Sequence, residues 1–528
     1  MKIIKHTIIG FITLLVALSV TSCSDFLESK AYDFVSPENF YKNKEEAKMG
    51  LAGVYFALTR EHVYGNRYSC MLSNVDDLSF YHRPATATVT QVFGNDHNTS
   101  NTDIYYAWQA IYKGIESANM FLESVEKSDI DDNEKKKMLG EAKFLRAFYH
   151  FLLVQAWKDV PLRKSAFKDV NKSALPATPQ AEAFDWIIRE MEETLEMVDN
   201  TTYDSSPSYV KRTVVEGVLA RVCLARAGYP TNGGKPYYEK AVKYAKAVKD
   251  SQKHKLNPDI YAIWKNMASD KYDKVYNESM WEAEFLGTRE FDGNYTEGRI
   301  GNVIGNKQQN GSADGLGYSY WFYGGTLILW DLFEEKDQRR DLSMAPYWYN
   351  ANDVKQVYNA NQIIQRSCGK YRREWETSKP KHKNYTQENY PILRYADVLL
   401  MLAEAENEVN QAPTPLALEA VNSVRVRAGV NPLPEGMTYM EFQQEIRNER
   451  GRELCFESLR KYDLVRWGIY TDAISKLGEA TYDSRWATGD NFTTARAFAE
   501  RTQKKHEFLP IPTLELSINT ELAQNPLW

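Results

Sequence analysis

The stretch that decides the fold is VVEGVLARVCLARAGYPTNGGKPYYEKAVKYAKAV, residues 214–248. Residues 214–227 and 237–248 each carry apolar side chains at the 3.6-residue period of a helix, separated by the turn GYPTNGGKP. Small residues in the first segment and Tyr-x-x-Ala in the second are typical of degenerate tetratricopeptide repeats. We therefore predict a helix–turn–helix hairpin. The residues at its expected contact are Ala220, Ala225, Gly228, Tyr238, Ala241 and Ala245.

The same periodicity predicts helices elsewhere in the chain. Residues 134–157 and 181–198 each place their apolar side chains on one face. Residues 393–409 and 415–428 form a further hairpin, joined by NQAPTP. The predicted fold class is mainly α: a tetratricopeptide-like scaffold of helical hairpins with long irregular loops and little β structure.

Two segments have no period. Residues 289–325 are dense in Gly and Asn with interleaved aromatics, and residues 74–102 are polar and aromatic. A long irregular insertion in a globular chain is usually functional or disordered, and aromatic content argues against disorder. Because loops on a rigid scaffold often carry binding chemistry, we expect ligand contacts in these two segments.

Composition narrows the range of partners. The formal net charge of −6 argues against nucleic acid, whose phosphates require clustered Lys and Arg. The 34 Tyr and 12 Trp supply flat apolar faces with polar edges, which suit a surface that binds sugars or peptides. The cysteines beyond residue 23 are far apart, with no CxxC pair, so we expect neither a disulfide framework nor a metal site. They are Cys70, Cys223, Cys368 and Cys455.

The amino terminus has the three regions of a secretion signal. Lys2 and Lys5 precede an apolar run over residues 8–20, about thirteen residues and too short for a bilayer core that needs ~20. The run ends in Val-Thr-Ser and then Cys23, which resembles a bacterial lipobox. Lipid chains on Cys23 would tether the protein to a membrane without spanning it.

Five motifs, in this order, resemble the SusD/RagB family of outer-membrane proteins over essentially the whole mature chain. They are YAWQAIYKGIESANMFLE (106–123), EAKFLRAFYHFLLVQAWKDVPL (141–162), PILRYADVLLMLAEAENEV (391–409), IRNERGRELCFESLRKYDLVRWG (446–468) and the terminal FLPIPTLELSINTELAQNPLW (508–528). The resemblance implies a helical fold with four tetratricopeptide-like hairpins and a ligand-binding face built from inserted loops.

The resemblance also implies a function. It implies a cell-surface lipoprotein that binds oligosaccharides or polysaccharides and delivers them to a SusC-like TonB-dependent transporter of the outer membrane, with no cofactor and no reaction. Some family members capture peptides, so a peptide ligand remains an alternative, as does a protein-binding adaptor. The expected organisation is a signal peptide (1–22), an N-terminal region of helical hairpins (23–250) and a C-terminal region with the binding loops and last hairpin (251–528), packed as one unit.

We predict the ligand site by asking which side chains of the two loops could contact a sugar. A pyranose offers a C–H face to an aromatic ring and hydroxyls to polar side chains. We predict Tyr295, Tyr320 and Trp321 as stacking platforms. The predicted polar partners are Asp77, Tyr81, Arg83 and Asn95.

No catalytic motif emerges. Glu449, Glu453 and Glu457 recur at helical spacing, and paired carboxylates can serve a glycosidase. However, arginines are interleaved at the same spacing, which predicts a salt-bridge ladder with depressed carboxylate pKa values, unsuited to a general acid. His150 lies in a predicted helix, where a satisfied core residue is expected. We therefore predict no enzymatic activity.

Overall fold

The computed structural model describes residues 40–83, 91–169, 174–200, 206–286, 298–489 and 492–528. Most of these residues are helical, so the predicted fold class is confirmed. The helices are α1 (Lys44–Phe56), α2 (Thr102–Val125), α3 (Asp132–Trp157), α4 (Gln180–Thr194), α5 (Arg212–Ala227), α6 (Lys235–Asp250), α7 (Ile260–Ala268), α8 (Ile300–Val303), α9 (Leu327–Leu332), α10 (Arg339–Ser343), α11 (Tyr395–Asn410), α12 (Pro415–Arg427), α13 (Tyr439–Leu454), α14 (Arg460–Arg466), α15 (Tyr470–Ala480), α16 (Thr494–Arg501) and α17 (Thr513–Ile518).

The long helices pack in series. Each helix from α2 to α6 contacts the next one in the chain. Helix α6 then contacts α11, and α11 contacts α12. The predicted hairpins are therefore present as α5–α6 and α11–α12. Caps define several helix starts: Asn101 accepts hydrogen bonds from the first turn of α2, and Thr438 and Glu441 form a capping box on α13.

Short strands occur where the chain leaves this stack. They are β1 (Ser79–Tyr81), β2 (Ser279–Ala283), β3 (Tyr323–Gly325), β4 (Tyr347–Tyr349), β5 (Lys355–Val357) and β6 (Tyr390–Arg394). They pair antiparallel as β1–β3, β2–β6 and β4–β5. The pairing of β6 delays the start of α11 from the expected residue 393 to Tyr395.

One hydrophobic cluster runs through both halves of the chain, from Ala47 to Leu522. Cys70, Cys223, Cys368 and Cys455 are buried as free thiols. The proposed division at residue 250 remains a prediction. Within the described ranges, no helix combines the length and apolar character needed to cross a membrane.

A buried network of charges lies between α13 and the elements packed on it, and we call it the ion-pair network. Glu453 accepts hydrogen bonds from Arg427 at 2.6 Å and from Arg394 at 3.0 Å. Arg339 bridges Glu449 at 2.6 Å and Glu453 at 3.2 Å. The members of the network are Glu278, Arg339, Lys370, Arg394, Arg427, Glu449, Glu453 and Glu457, all nearly inaccessible to solvent.

The network differs from the predicted ladder in its partners: Glu449 pairs with Arg452 within α13, whereas Glu453 pairs with arginines of other elements. Burial by itself would raise the pKa of Glu453, but Arg427 and Arg394 hold it well below its ordinary value. Glu449 and Glu453 lie on α13, whereas Glu457 lies beyond its end and reaches the network from the next turn. Carboxylates bonded in this way stabilise the packing of α13.

Candidate ligand-binding site

Two buried polar side chains fix the irregular loop that carries the aromatic residues. Asn302 donates from Nδ2 to the carbonyl oxygens of Tyr318 and Lys383, at 3.0 and 2.9 Å. Arg373 donates from Nη1 to the same two carbonyls, at 2.8 and 3.0 Å. These bonds satisfy carbonyls that have no partner in a helix or strand. The sequence after α8 therefore keeps one backbone path without regular structure.

The aromatic residues of this loop pack against one another and against Arg83. The rings of Tyr320 and Phe322 are stacked with centroids 5.1 Å apart, and Tyr318 meets Tyr320 edge-on at 4.9 Å. The guanidinium of Arg83 lies 4.8 Å from the Phe322 centroid and donates to the Tyr320 carbonyl at 3.2 Å. Aromatic and cation–π contacts of this kind hold the rings in place at a half-exposed surface.

Trp321 lines a cavity of about 290 Å³, which we call the tryptophan cavity. Its backbone has φ +42°, a left-handed conformation that is unusual for a bulky side chain and is often associated with functional sites. The volume lies near the lower end of small-molecule sites, roughly 300–1,000 Å³. The cavity is lined by His82, Lys307, Trp321, Trp348, Tyr358, Gln362, Gln365 and Phe492.

The second tryptophan comes from the β4–β5 hairpin. Trp348 pairs with Gln356 across the hairpin, and the amide of Tyr349 donates to the carbonyl of Lys307 at 3.0 Å. Because side chains alternate along a strand, Trp348 points away from the face of Tyr347 and Tyr349. Trp348 is not among the residues predicted from the sequence. The alternating YWY before the turn residues NAND is a hairpin signal that could have indicated it.

The cavity is electropositive. The Lys307 ammonium lies 3.9 Å from the Trp348 centroid and 4.9 Å from that of Trp321, and burial lowers the pKa of Lys307. Burial, aided by the charges of Lys307 and Arg83, lowers the pKa of His82 to about 4, so this ring is neutral at pH 7. His82 Nε2 donates to the Ile364 carbonyl at 3.0 Å. Gly324 permits this approach, since a Cβ there would lie 1.9 Å from His82 Nε2.

Three of the predicted site residues meet at this place. Tyr320, Trp321 and Arg83 are in mutual contact, with Arg83 5.3 Å from the Trp321 centroid. Tyr81 lies behind them: it is buried and stacks on Phe93 at 4.6 Å. The structure therefore gives Tyr81 a supporting position beneath the aromatic run.

Besides Tyr81, two further predicted polar partners require correction. Both carboxylate oxygens of Asp77 accept hydrogen bonds from Arg460 at 2.8 Å, and Asp77 is 4% exposed. Asn95 is also buried and donates to the Thr502 hydroxyl at 2.8 Å. Both side chains serve the packing of distant segments and are not presented to a ligand. Tyr295 and Cys23 lie outside the described residues.

The candidate catalytic and metal-binding residues have structural roles. His150 is fully buried, donates from Nδ1 to the Arg146 carbonyl at 2.9 Å and accepts the Arg163 amide at 3.1 Å, as expected for a satisfied core residue. Glu449 and Glu453 are occupied by the ion-pair network. In the ranges that the structure describes, no group of three or more His, Cys, Asp or Glu residues is arranged to hold a metal ion.

Comparison with known proteins settles the family. The family model described as "SusD family" matches residues 199–528. This chain belongs to the SusD family. A second family model, described as "Starch-binding associating with outer membrane", matches residues 25–224, so the two together span nearly the whole chain.

Individual relatives agree with the SusD assignment. SusD-like protein P2 of Formosa agariphila is 26% identical, with 98% of each chain covered. The crystal structure of a SusD homolog from Bacteroides thetaiotaomicron has a TM-score of 0.84 at 28% identity, covering 93% of this chain and 98% of the homolog. A structure named as a laminarin-binding SusD-like protein has a TM-score of 0.73 at 21% identity, covering 92% and 100%, and shows the same fold.

Proposed function

We propose that this SusD-family protein binds oligosaccharides in the tryptophan cavity and performs no chemistry on them. The observation that carries the proposal is the pairing of Trp321 and Trp348 with the amides of Gln362 and Gln365 around one opening. Indole rings suit the C–H face of a pyranose, and amides can donate to and accept from its hydroxyls. The laminarin-binding relative of the same fold supports this ligand class.

Mutation of Trp321 tests the proposal. Trp321→Ala should weaken glycan binding by about 2 kcal/mol, or roughly 30-fold, as expected for a buried aromatic anchor. Isothermal titration calorimetry with glycans that the protein retains on an array would measure the loss. The melting temperature should change little, because Trp321 is partly exposed and lies outside the buried hydrophobic cluster. Tyr482→Ala is the control, since Tyr482 is 71% exposed and lies outside the cavity.

The same array separates sugars from peptides. A cavity of rings and amides should retain oligosaccharides, whereas a peptide receptor needs a backbone edge with which the ligand can pair. Retention of peptides alone would contradict the proposal and support the peptide alternative. Unchanged glycan affinity in Trp321→Ala would instead show that the glycan site lies outside this cavity.

We further propose that Cys23 is lipidated, anchors the protein at the outer-membrane surface, and positions it to pass ligand to a SusC-like TonB-dependent transporter. Support comes from the basic start, apolar run and small residues before Cys23, and from the family description that mentions the outer membrane. Cys23→Ala should abolish metabolic labelling with a palmitate analogue and release the protein from membranes. Failure to co-purify a barrel transporter with the wild-type protein would contradict the delivery step.

A further inference from the structure

Lys307 in the tryptophan cavity and Arg83 beside Trp321 have no acidic partner among the described residues. Neither Lys307 nor Arg83 forms an ion pair in the part of the chain that the structure describes, although most buried arginines elsewhere do. Among the described residues, the ammonium of Lys307 lies against the ring faces of Trp321 and Trp348. Arg83 donates to the Tyr320 carbonyl and otherwise lies over aromatic rings.

Two described carboxylates on segments near the cavity, those of Glu374 and Asp353, are bonded to other groups. Glu374 accepts hydrogen bonds from the Tyr347 hydroxyl at 2.7 Å and from Gln308 Nε2 at 2.6 Å. Asp353 accepts from Asn310 Nδ2 at 2.8 Å. The residues that line the cavity include no Asp or Glu. Among the described residues, no carboxylate therefore neutralises the positive charge at this opening.

An unpaired, half-buried cation costs free energy, because it loses part of its hydration without gaining a counter-charge. Ring faces offset only part of that cost. An anionic group on a ligand would supply the missing charge, and a charge-assisted hydrogen bond to an ammonium is among the stronger polar contacts a site can offer.

We propose that the glycan is acidic, and that its carboxylate or sulfate pairs with Lys307, with Arg83 adding to the positive field, while sugar rings pack on the tryptophans. This inference rests on the proposed glycan-binding function and names the class of glycan. A uronic acid and a sulfate ester present the same chemistry to Lys307, namely oxygen acceptors bearing negative charge.

Matched probes test the inference by calorimetry on the full-length protein. The uronate pair is polygalacturonate and its carboxyl-reduced derivative, and the sulfate pair is dextran sulfate and dextran. At least one acidic probe should bind at least about tenfold more tightly than its neutral partner, the range expected for one charge-assisted bond. The pair that shows the difference identifies the anionic group. The preference should also diminish as salt increases.

Substitutions at Lys307 test whether its positive charge causes the preference for acidic probes. Lys307→Gln should remove the preference so that each acidic probe binds no better than its neutral partner, and Lys307→Arg should retain it. Lys355→Gln is the matched control: it removes one positive charge from the adjoining hairpin, where Lys355 lies over Tyr347 and not in the cavity. A circular-dichroism melt of each variant verifies folding.

The outcomes distinguish the two proposals. Equal or tighter binding of the neutral partners by the wild-type protein, with loss of binding in Trp321→Ala, would overturn the acidic class and leave glycan binding intact. A preference that survives in Lys307→Gln would overturn the role of Lys307. No binding of any of these probes, nor of laminarin as a neutral reference, would count against glycan binding itself.

Discussion

The ion-pair network and the tryptophan cavity use cations in opposite ways. Around Glu453 every guanidinium faces a carboxylate, and the whole cluster is closed to solvent. At the cavity Lys307 faces two indole rings and no acid among the described residues. Buried charges that pair with one another stabilise the fold. A cation that contacts only aromatic rings remains available to pair with a charged ligand. The first region belongs to the scaffold, and the second is the surface at which we propose that the ligand binds.

The largest effect should follow from breaking the network. Glu453→Gln removes the negative charge that Arg427, Arg394 and Arg339 share, and should lower the free energy of unfolding by about 3–5 kcal/mol, because buried guanidiniums are left uncompensated. Urea denaturation followed by circular dichroism measures this loss. Asp250→Asn, which removes an exposed partner of Lys246, should change stability by less than ~1 kcal/mol. A comparably small loss in Glu453→Gln would show that the network is not essential to stability.

A second test uses pH. Asp397 accepts hydrogen bonds from Arg450 at 2.8 Å and from Arg221 at 2.7 Å. Burial opposes ionisation, but these two guanidiniums lower the pKa of Asp397 to about 2. A depressed folded-state pKa means that the carboxylate stabilises the protein above its unfolded pKa near 4, and that this contribution is lost as pH falls from about 5 to 2.

The stability gap between the wild type and Asp397→Asn should therefore narrow by roughly 2 kcal/mol between pH 6 and pH 2. Thermal melts across this range would show it. Asp129→Asn, at an exposed position, should track the wild-type profile. A gap that stays constant with pH would mean that the two guanidiniums do not control Asp397.

The smallest expected effect is on glycan affinity and concerns the second tryptophan of the tryptophan cavity. Trp348→Ala should weaken glycan binding by about 1–2 kcal/mol, roughly 5- to 30-fold, while stability stays close to that of the wild type. Tyr349→Ala changes the adjacent residue, whose side chain lies on the other face of β4, and should bind as the wild type does. Equal losses in both variants would indicate a disturbed hairpin instead of a lost contact.

Local pattern predicted the scaffold well and the site only in part. The periodicities of residues 214–227 and 415–428 recur as α5 and α12, with ends that differ by at most two residues. The site depends on partners far along the chain. Asp77 was expected to face a ligand because it lies in a polar loop, but Arg460, 383 residues away, takes both of its oxygens.

Trp348 shows the converse case. It was not predicted because it lies outside both irregular segments, residues 74–102 and 289–325. It reaches the cavity because the β4 amide of Tyr349 bonds to Lys307, a long-range pairing that composition does not reveal. Tyr320, Trp321 and Arg83 could be proposed from sequence because they lie in segments whose density of aromatic residues is a local property.

By itself the sequence determined the helical hairpins and the family, since periodicity and motif order can be read along the chain; the secretion-type amino terminus stays a prediction. Only the tertiary structure decided which polar groups are neutralised and which are left open. Charge pairing depends on distances in space between residues remote in sequence. Those distances place Asp77 against Arg460 and leave Lys307 without an acidic partner among the described residues.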